Sequence, residues 1–310
     1  MKEIIIGDLH GDWKVWRKIL HHSHCINDRG EWIGKRIRLI QLGDIFDRGG
    51  RNVPYEDADE EWDILSDLIR YQKEAPKHHS EVYFLIGNHE WMNVLGHFYF
   101  VSPKAIKNSM NYYQLWKQDP TFQKNQKKNG RKLAKTPEEA RLRLMEPGSP
   151  IAQMFAHYGR VFLKIDDRIY VHAGLMPIHS RISTNPEEIN RVFMKMCQDE
   201  PLTTQQEREI YQVFFLDSTA IWVNRAMGLE MLSQKEVNQI LQDYQARKIF
   251  VGHTPQFQTG IRSIYNGKVF LCDSGRYEAY GLRNQPEPKI QYATYDPVQD
   301  HFQVVEIPLA

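Results

Sequence analysis

Short apolar runs rich in β-branched residues recur along the chain, and a polar, glycine-containing turn follows each of them. The runs EIII, RIRLIQ, EVYFLI and KIFV precede the turns GDLHGD, GDIFDRG, GNHE and GHTP. Runs of four to six apolar residues that end in turn signals predict buried strands. Between them, apolar residues recur at helical spacing over Trp13–His21 and Trp62–Tyr71. This alternation predicts an α/β fold whose functional site lies at the carboxyl ends of the strands.

The middle of the chain has a different pattern, polar and helical from about Pro103 to Tyr158. Because it lies between two of the glycine-containing turns, we interpret it as a helical cap inserted into a single domain of residues 1–310. Beyond it, RVFLKI and RIYV predict two further strands, and three helices are expected over Glu187–Cys197, Thr204–Phe215 and Ser233–Arg247. The remaining sequence predicts strands at GIRSI, KVFLCD, IQYATYD and HFQVVEI.

Composition narrows the class of protein. The 310 residues are 41% hydrophobic and 25% charged with a net charge of +1, which favours a globular protein without a polyanionic partner or a membrane surface. The chain has three cysteines without CxxC spacing, which argues against a disulfide framework and against a cysteine zinc site. The start of the chain is no signal peptide, and no run approaches the roughly 20 apolar residues of a membrane span. We therefore expect a cytoplasmic protein, with secretion that needs no cleavable signal left open.

The turns supply side chains that divalent metals prefer. Six of them stand at predicted strand ends: Asp8, His10, Asp44, Asn88, His172 and His253. Carboxylate, amide and imidazole ligands without thiolates suit manganese, iron or zinc in a reactive site. Six ligands exceed the need of one ion, so a pair of ions that share a bridging carboxylate is the better interpretation.

Each turn by itself has an ordinary explanation. An Asp-Leu-His sequence is usually a turn with a hydrogen-bonded histidine, and the Gly-Asn of GNHE is common turn chemistry. GDIFDRG is more specific, since a simple turn requires neither two aspartates nor an arginine. Coincidence explains five such turns in succession poorly, because all of them follow apolar strands.

The succession GDLHGD, GDIFDRG, GNHE, VHAG and GHTP resembles the calcineurin-like metallophosphoesterases, and within them the phosphoprotein phosphatases. The continuations GNHEWMNVLGHFYFVSP and CDSGRYEAYG look most like the Shewanella-like phosphatases. The resemblance covers residues 1–100 and 160–283, and it implies a β-sandwich flanked by helices. A SAPNYC-type segment is absent from the sequence, which favours the bacterial-type branch. The chain departs from the family pattern at Asp273-Ser274-Gly275-Arg276-Tyr277, where larger side chains replace a DxGMS-like segment.

The resemblance also implies individual roles. Asp8, His10 and Asp44 would hold one metal, and Asp44, Asn88, His172 and His253 the other, with Asp44 as the bridge. The ions, expected to be Mn²⁺ with iron or zinc as alternatives, would share a hydroxide that attacks phosphorus. His89 would protonate the leaving oxygen, Asp47 would orient His89, and Arg48 would bind phosphate with its planar fork. Arg225 matches the family's second phosphate-binding arginine more loosely.

Other charged clusters have simpler interpretations. His21, His22, His24, His78 and His79 fall on segments away from the strand ends and are expected to be solvated. The acidic run Glu56, Asp57, Asp59, Glu60 and Glu61 is expected to start a helix and to face solvent. The basic run Lys124–Lys135 lacks aromatic residues, so we expect a solvated face of the cap and no nucleic-acid partner. The rim residue His97 stands where the related pattern often carries an acid.

The sequence thus predicts a dinuclear metal-dependent phosphatase that hydrolyses phosphate monoesters, with phosphorylated proteins as partners. Phosphotyrosine and phosphoserine or phosphothreonine remain open as substrates. Two alternatives stay in view: a nucleotide hydrolase of the symmetrical diadenosine tetraphosphatase type, and a binding protein that has kept the fold without catalysis. A phosphodiesterase is the least favoured.

Overall fold

A computed structural model describes residues 1–53, 57–120, 122–123, 132–284 and 288–309. The strands of this part of the chain are β1 Lys2–Ile6, β2 Ile37–Gln41, β3 Glu81–Leu85, β4 Gly159–Arg160, β5 Phe162–Ile165, β6 Arg168–Val171, β7 Lys248–Val251, β8 Arg262–Ile264, β9 Val269–Leu271, β10 Lys289–Asp296 and β11 His301–Pro308.

The α-helices of the described residues are α1 Trp13–His22, α2 Glu61–Glu74, α3 Asn88–Val94, α4 Pro103–Trp116, α5 Pro137–Met145, α6 Pro150–Tyr158, α7 Pro177–Ile182, α8 Pro186–Gln198, α9 Gln205–Tyr211 and α10 Gln234–Asp243. Many of them begin with a side chain that caps the first turn. Thr136 and Ser233, for example, accept hydrogen bonds from the third residue of α5 and α10 in capping boxes.

The strands form two sheets. Six strands lie in the order β11-β10-β1-β2-β3-β4 and five in the order β5-β6-β7-β9-β8. Strands β1, β2, β3 and β4 run parallel, and so do β6, β7 and β9. Parallel strands end at a common edge, so the turns that follow them converge there.

The two sheets face each other across a shared apolar layer. Alternate residues of the first sheet, such as Ile5 and Ile40, pack in one buried cluster with Tyr170 and Phe250 of the second sheet. Residues of opposite parity, such as Ile4 and Leu39, belong to a larger cluster that includes the helices. The predicted β-sandwich flanked by helices is therefore confirmed.

The predicted strands form at or within a residue or two of the sequence runs, and α1, α2 and α8 occupy the helical patterns. The helix expected to reach Arg247 ends earlier, at Asp243. There Gln245 adopts φ +50° and the Ala246 N–H bonds to the Leu241 carbonyl, because the chain must turn into β7 at Lys248.

The stretch interpreted as a cap contains α4, α5 and α6 and connects α3 to β4. Helices α4 and α5 pack together, and α5 also contacts α3, the helix that starts at Asn88. Residues 124–131, most of the basic run, lie outside the described residues. No helix in the described part of the chain is both long and apolar enough to cross a membrane.

At the amino ends of the parallel strands, a buried ionic network joins the two sheets. Glu3 of β1 is fully buried, with Oε1 at 2.9 Å from Arg38 Nη1 and 3.2 Å from Arg168 Nη2. The hydroxyl of Tyr170 donates to Glu3 Oε2 at 2.5 Å. Glu81 pairs with Arg38 on the exposed side of the network. Every buried charge here therefore has a partner of opposite sign.

Candidate metal centre

Turns that follow parallel strands of both sheets bring histidine and aspartate side chains together at the carboxyl edge. Among the described residues, two groups of three have possible ligand atoms within 4.8 Å of one another. One is His10, Asp44 and His89, and the other is Asp44, His172 and His253. Asp44 belongs to both groups, which is the arrangement required of a carboxylate that bridges two ions.

His172 lies close to two of the other predicted ligands. His172 Nε2 lies 3.3 Å from Asp44 Oδ2 and 3.2 Å from Asn88 Oδ1. In the first group, Asp44 Oδ2 lies 4.0 Å from His10 Nε2 and 3.9 Å from His89 Nε2. Asp8 belongs to neither group, but its Oδ1 accepts the backbone N–H of His253 at 3.0 Å.

Backbone carbonyls fix which nitrogen of each predicted ligand histidine faces the centre. The Nδ1–H of His10 donates to the Phe46 carbonyl at 3.0 Å, and that of His172 donates to the Leu42 carbonyl at 2.7 Å. For His253 the roles are reversed, since Nε2–H donates to the Val223 carbonyl at 3.2 Å. A carbonyl only accepts, so in the neutral form of each histidine the other ring nitrogen carries the lone pair that faces the centre. Outer-shell bonds of this kind orient histidines that bind metals.

The charges of the centre call for a cation. Burial and the neighbouring Asp273 raise the pKa of Asp8 well above its usual value, while burial raises the pKa of Asp273 to about 6. One oxygen of Asp273 is buried without a hydrogen-bond partner. Burial disfavours a charged His172, yet Asp44 outweighs it and raises the pKa of this histidine to about 10. The donor set therefore fits divalent ions, which would neutralise the carboxylates and take the place of the proton on His172.

The backbone of the centre is held in a conformation that most residues avoid. His10, Asp44, Asp47 and His253 have φ between +45° and +69°, in the left-handed region. Gly87 allows this turn to close, because a Cβ there would lie 2.2 Å from Asp44 Oδ1. Such strain persists where surrounding contacts fix it, and it is common at functional sites.

Glu90 provides those contacts for the turn that carries Asp44. Its carboxylate accepts the backbone N–H groups of Asp44, Ile45, Phe46 and Gly87 at 2.7–3.1 Å. Burial, followed by the charge of Asp44, raises the pKa of Glu90 to about 7. The last residue of GNHE thus ties α3 to the turn after β2.

His89 is held differently from the other histidines. Its Nδ1 lies 2.8 Å from Asp47 Oδ2, and its backbone N–H donates to Asp44 Oδ1 at 3.0 Å. Burial opposes the charged imidazolium, but the carboxylates of Asp44 and Asp47 outweigh it and raise the pKa of His89. By contrast, burial and the nearby His172 lower the pKa of His253 to about 3. The two carboxylates thus favour the protonated form of His89, whereas His253 stays neutral.

Three arginines surround the centre, and they differ in what they contact. Arg48 is buried, and its Nη2 donates to the Gly11 carbonyl at 2.6 Å and to Glu60 at 3.2 Å. Arg225 is exposed, close enough to His253 to help lower its pKa. Arg51 Nη2 lies 3.4 Å from His10 Nε2 and 3.5 Å from His89 Nε2, directly against the centre.

Aromatic rings hold Arg51 and form the rim above the histidines. Its guanidinium lies 5.2 Å from the ring centroids of both Phe100 and Tyr280. The Phe100 ring packs 5.1 Å from that of His89, and Tyr280 packs 5.0 Å from the exposed Phe257. The ring of Tyr277, in the segment Asp273–Tyr277 that departs from the family pattern, lies 5.1 Å from that of His10. Among the larger side chains of that segment, the buried Tyr277 therefore packs against the centre.

The predicted site residues lie together in the structure, although Arg48 contacts the turn at Gly11 and Glu60, not the histidines. The five histidines expected to be solvated belong to neither group of possible ligands, and His97 is exposed. The acidic run does start α2, but a solvated face is wrong for Glu61. This residue is buried, and its Oε2 accepts the Asp47 N–H at 3.0 Å. Its position on the inner face of α2 explains the difference. Glu56 lies outside the described residues.

Three residues at the centre escaped the sequence analysis: Arg51, Asn93 and Arg141. Asn93 lies one turn after His89 on α3 and donates to Asp47 Oδ1 at 2.8 Å. Its i, i+4 spacing from His89 is the signal in the sequence that places it on the same helix face as His89. Arg141 comes from the inserted helices, about fifty residues away, and no local pattern marks it.

The chain was compared with known proteins. The family model described as calcineurin-like phosphoesterase matches residues 1–257. Shewanella-like protein phosphatase 1 of Plasmodium berghei is 29% identical over 97% of this chain and 72% of its own length. Shewanella-like protein phosphatase 2 of Arabidopsis thaliana is 28% identical over 60% of this chain and 49% of its own length.

Among solved structures, the cold-active protein-tyrosine phosphatase of a psychrophilic Shewanella species superimposes with a TM-score of 0.67. The match has 18% identity and covers 100% of this chain and 80% of that one. This likeness concerns the fold, and the family match extends through the turns that carry the candidate ligands. The chain belongs to the calcineurin-like phosphoesterase family.

Proposed function

We propose that this protein is a dinuclear metal-dependent phosphatase that removes phosphate monoesters from phosphorylated proteins. The observation that carries the proposal is the position of Asp44 in both ligand groups, beside the paired His89 and Asp47. Relatives of the chain are named as protein phosphatases, which supports a protein substrate.

Asp8, His10 and Asp44 would hold one divalent ion, and Asp44, Asn88, His172 and His253 the other. Bound ions would supply Lewis acidity, which polarises the phosphoryl group and activates water. His89 would donate the proton that the leaving oxygen needs, from the Nε2 atom that faces the centre. Asp47 holds the opposite ring nitrogen and would keep His89 protonated and aimed.

Arg51 would bind the phosphoryl oxygens. Its guanidinium already lies against His10 and His89, and a planar fork suits two oxygens of a phosphate. Arg48 would act through the turn at Gly11, to which it donates, and Arg225 would approach from the solvent side. We expect Arg51→Gln to lower kcat/KM by about 10²-fold and Arg225→Gln by less, since Arg225 is exposed. Equal effects of the two changes would contradict this assignment.

The aromatic rim favours an aryl phosphate. Phe100, Tyr280 and Phe257 present ring surfaces beside the centre, which would pack against the ring of a phosphotyrosine. We therefore expect phosphotyrosine peptides to be hydrolysed faster than phosphoserine peptides. Phe100→Ala should reduce this preference, whereas Val298→Ala, at an exposed turn far along the chain, should leave it unchanged.

The decisive test is a substrate panel with metal-stripped protein to which Mn²⁺, Fe²⁺ or Zn²⁺ is added back. The panel compares a phosphotyrosine peptide, a phosphoserine peptide, diadenosine tetraphosphate and a bis-aryl phosphodiester. We expect metal-dependent turnover, with the phosphopeptides fastest. Faster hydrolysis of the dinucleotide than of every phosphopeptide would overturn the proposal, and metal-independent turnover would overturn the mechanism.

A second experiment separates the roles of His89. The structure groups His89 with His10 and Asp44 as possible ligands, so an acid and a ligand must be distinguished. His89→Asn should lower turnover about 10²–10⁴-fold, the usual range for a general acid, with the metal content unchanged. Loss of one metal ion on this substitution would identify His89 as a ligand.

A further inference from the structure

Arg141 is a fully buried arginine in α5, one of the inserted helices. Its Nε donates to Asn93 Oδ1 at 2.7 Å, and its Nη2 lies 2.7 Å from Glu61 Oε1. A buried guanidinium has a large desolvation cost and persists only where charged and polar partners surround it. Those partners show what Arg141 is fixed to.

Both partners of Arg141 hold Asp47. Asn93 Nδ2 donates to Asp47 Oδ1 at 2.8 Å and to the His89 carbonyl at 2.9 Å. Glu61 Oε2 accepts the Asp47 N–H at 3.0 Å, and Arg141 Nη2 lies 3.7 Å from Asp47 Oδ1. The other carboxylate oxygen of Asp47 bonds to His89 Nδ1. A continuous set of contacts therefore runs from the inserted helix to the ring of His89.

The chemistry of the guanidinium fixes the direction of the hydrogen bonds between Arg141 and Asp47. Arginine only donates, so the oxygen of the Asn93 amide must face it. The amide nitrogen then points to Asp47, whose carboxylate only accepts. The Asp47 carboxylate and the His89 carbonyl both require the amide nitrogen, and Arg141 is the donor that holds the amide oxygen on the other side. Without Arg141 this oxygen loses its partner, so Asn93 is held from one side only. The carboxylate would then lose the orientation that aims His89.

We propose that Arg141 is a positioning residue that acts through Asn93 and Asp47 on His89. The inserted helices are thereby part of the catalytic apparatus, because α5 supplies a side chain on which proton donation depends. This inference rests on the proposed function, in which His89 protonates the leaving oxygen.

A purely structural role for Arg141 makes different predictions. The guanidinium also lies 5.7–5.9 Å from the ring centroids of Phe46, Trp62 and Phe98, so its removal disturbs packing as well. A packing defect lowers the turnover of all substrates alike. A defect in proton donation instead depends on the leaving group, since a poor leaving group needs the proton more.

The experiment compares kcat on p-nitrophenyl phosphate, which has a good leaving group, with kcat on phenyl phosphate, which has a poor one. For Arg141→Gln we expect a loss of about 10–10²-fold on phenyl phosphate and at most a few-fold on p-nitrophenyl phosphate, with metal content unchanged. Arg141→Lys keeps the charge and should recover part of the loss. Arg143→Gln, in the same helix but paired with Glu146, is the matched control and should stay within twofold on both substrates.

Asn93→Ala keeps the pair between Arg141 and Glu61 and should give the same leaving-group dependence, which provides a test if Arg141→Gln fails to fold. The double variant Arg141→Gln with His89→Asn should lose no more kcat than His89→Asn alone. The reason is that the effects of residues that act as a unit are not additive. Equal losses on both substrates, or full additivity, would overturn the inference. If His89→Asn itself shows no leaving-group dependence, the proposed role of His89 fails instead.

Discussion

At the amino ends of the parallel strands Glu3 lies between Arg38 and Arg168, whereas at the carboxyl ends Asp8, Asp44 and Asp273 lie near one another. Both regions are buried and both belong to the same sheets. The amino end matches every carboxylate with a guanidinium or a hydroxyl. The carboxyl end places like charges together, with the backbone of Asp44 at positive φ, among histidines whose ring nitrogens converge.

The amino end stabilises the fold, whereas the carboxyl end lowers stability in exchange for a site that can bind ligands. Opposite charges with short bonds lock the sheets together at one end. At the other end, repulsion and backbone strain are maintained by groups such as Glu90, and binding of cations would relieve the repulsion. The comparison can be tested by changing carboxylates at each end and measuring activity and stability separately.

The largest effect is expected for Asp44→Asn. This substitution keeps the acceptor for the His89 N–H but removes the charge shared by both ligand groups. Turnover should fall by about 10³-fold or more, because several kcal/mol of metal-dependent transition-state stabilisation is lost. Activity and bound metal are measured together. The exposed Asp28 gives the control Asp28→Asn, and an Asp44→Asn protein with normal metal content and activity would remove Asp44 from the centre.

At the amino end, Glu3→Gln should act on stability alone. It leaves two buried arginines without their shared carboxylate, although Glu81 and Asp166 remain as other partners. We expect the free energy of unfolding to fall by about 3 kcal/mol, the lower part of the range for a broken buried pair, with kcat within twofold. Denaturant titration measures this. Glu81→Gln, in the more exposed pair, should cost at most about 1 kcal/mol, and a similar cost for both changes would contradict the account.

A group outside both ends should contribute to the loss of stability in mild acid. Burial lowers the pKa of His179 from 6.5 to about 4, and its Nδ1 accepts the Met176 N–H, which requires that nitrogen to be unprotonated. The unfolded chain therefore binds more protons between these values, so stability is full above about pH 6.5 and is lost as the pH falls towards 4. The loss amounts to about 3 kcal/mol. His179→Asn should flatten this part of the curve, and an unchanged slope would refute it.

The smallest effect is expected for Asp273→Asn in metal-free protein. Because burial raises the pKa of Asp273 to about 6, its stabilising contribution is present at pH values below 3.8 and is lost as the pH rises through 6. At pH 7 the substitution should therefore raise the free energy of unfolding by about 2 kcal/mol, and at pH 4 by much less. Thermal melts at both pH values provide the measurement. A destabilisation at pH 7 would show that the hydrogen bonds which Asp273 Oδ1 accepts from Gly275 and Tyr277 outweigh the cost of burying its charge.

Local sequence patterns predicted the strands of this protein and the turns that carry its candidate ligands. Apolar runs such as KIFV specified strands because a buried strand needs a short β-branched segment, and the polar turn after each run marked the edge where ligands gather. The family match extends through those turns. Helix ends were less predictable, as at Asp243, because the direction of the next strand decided where the helix stopped.

The sequence by itself determined the chemical types at the centre and their place at strand ends, since both follow from local residue order. Only the tertiary structure decided which atoms meet. Arg51 rather than Arg48 faces the histidines, and Glu61 is buried. Arg141 reaches Asp47 across an insertion. Such contacts join residues far apart in the chain, and they depend on packing distances that no local pattern contains.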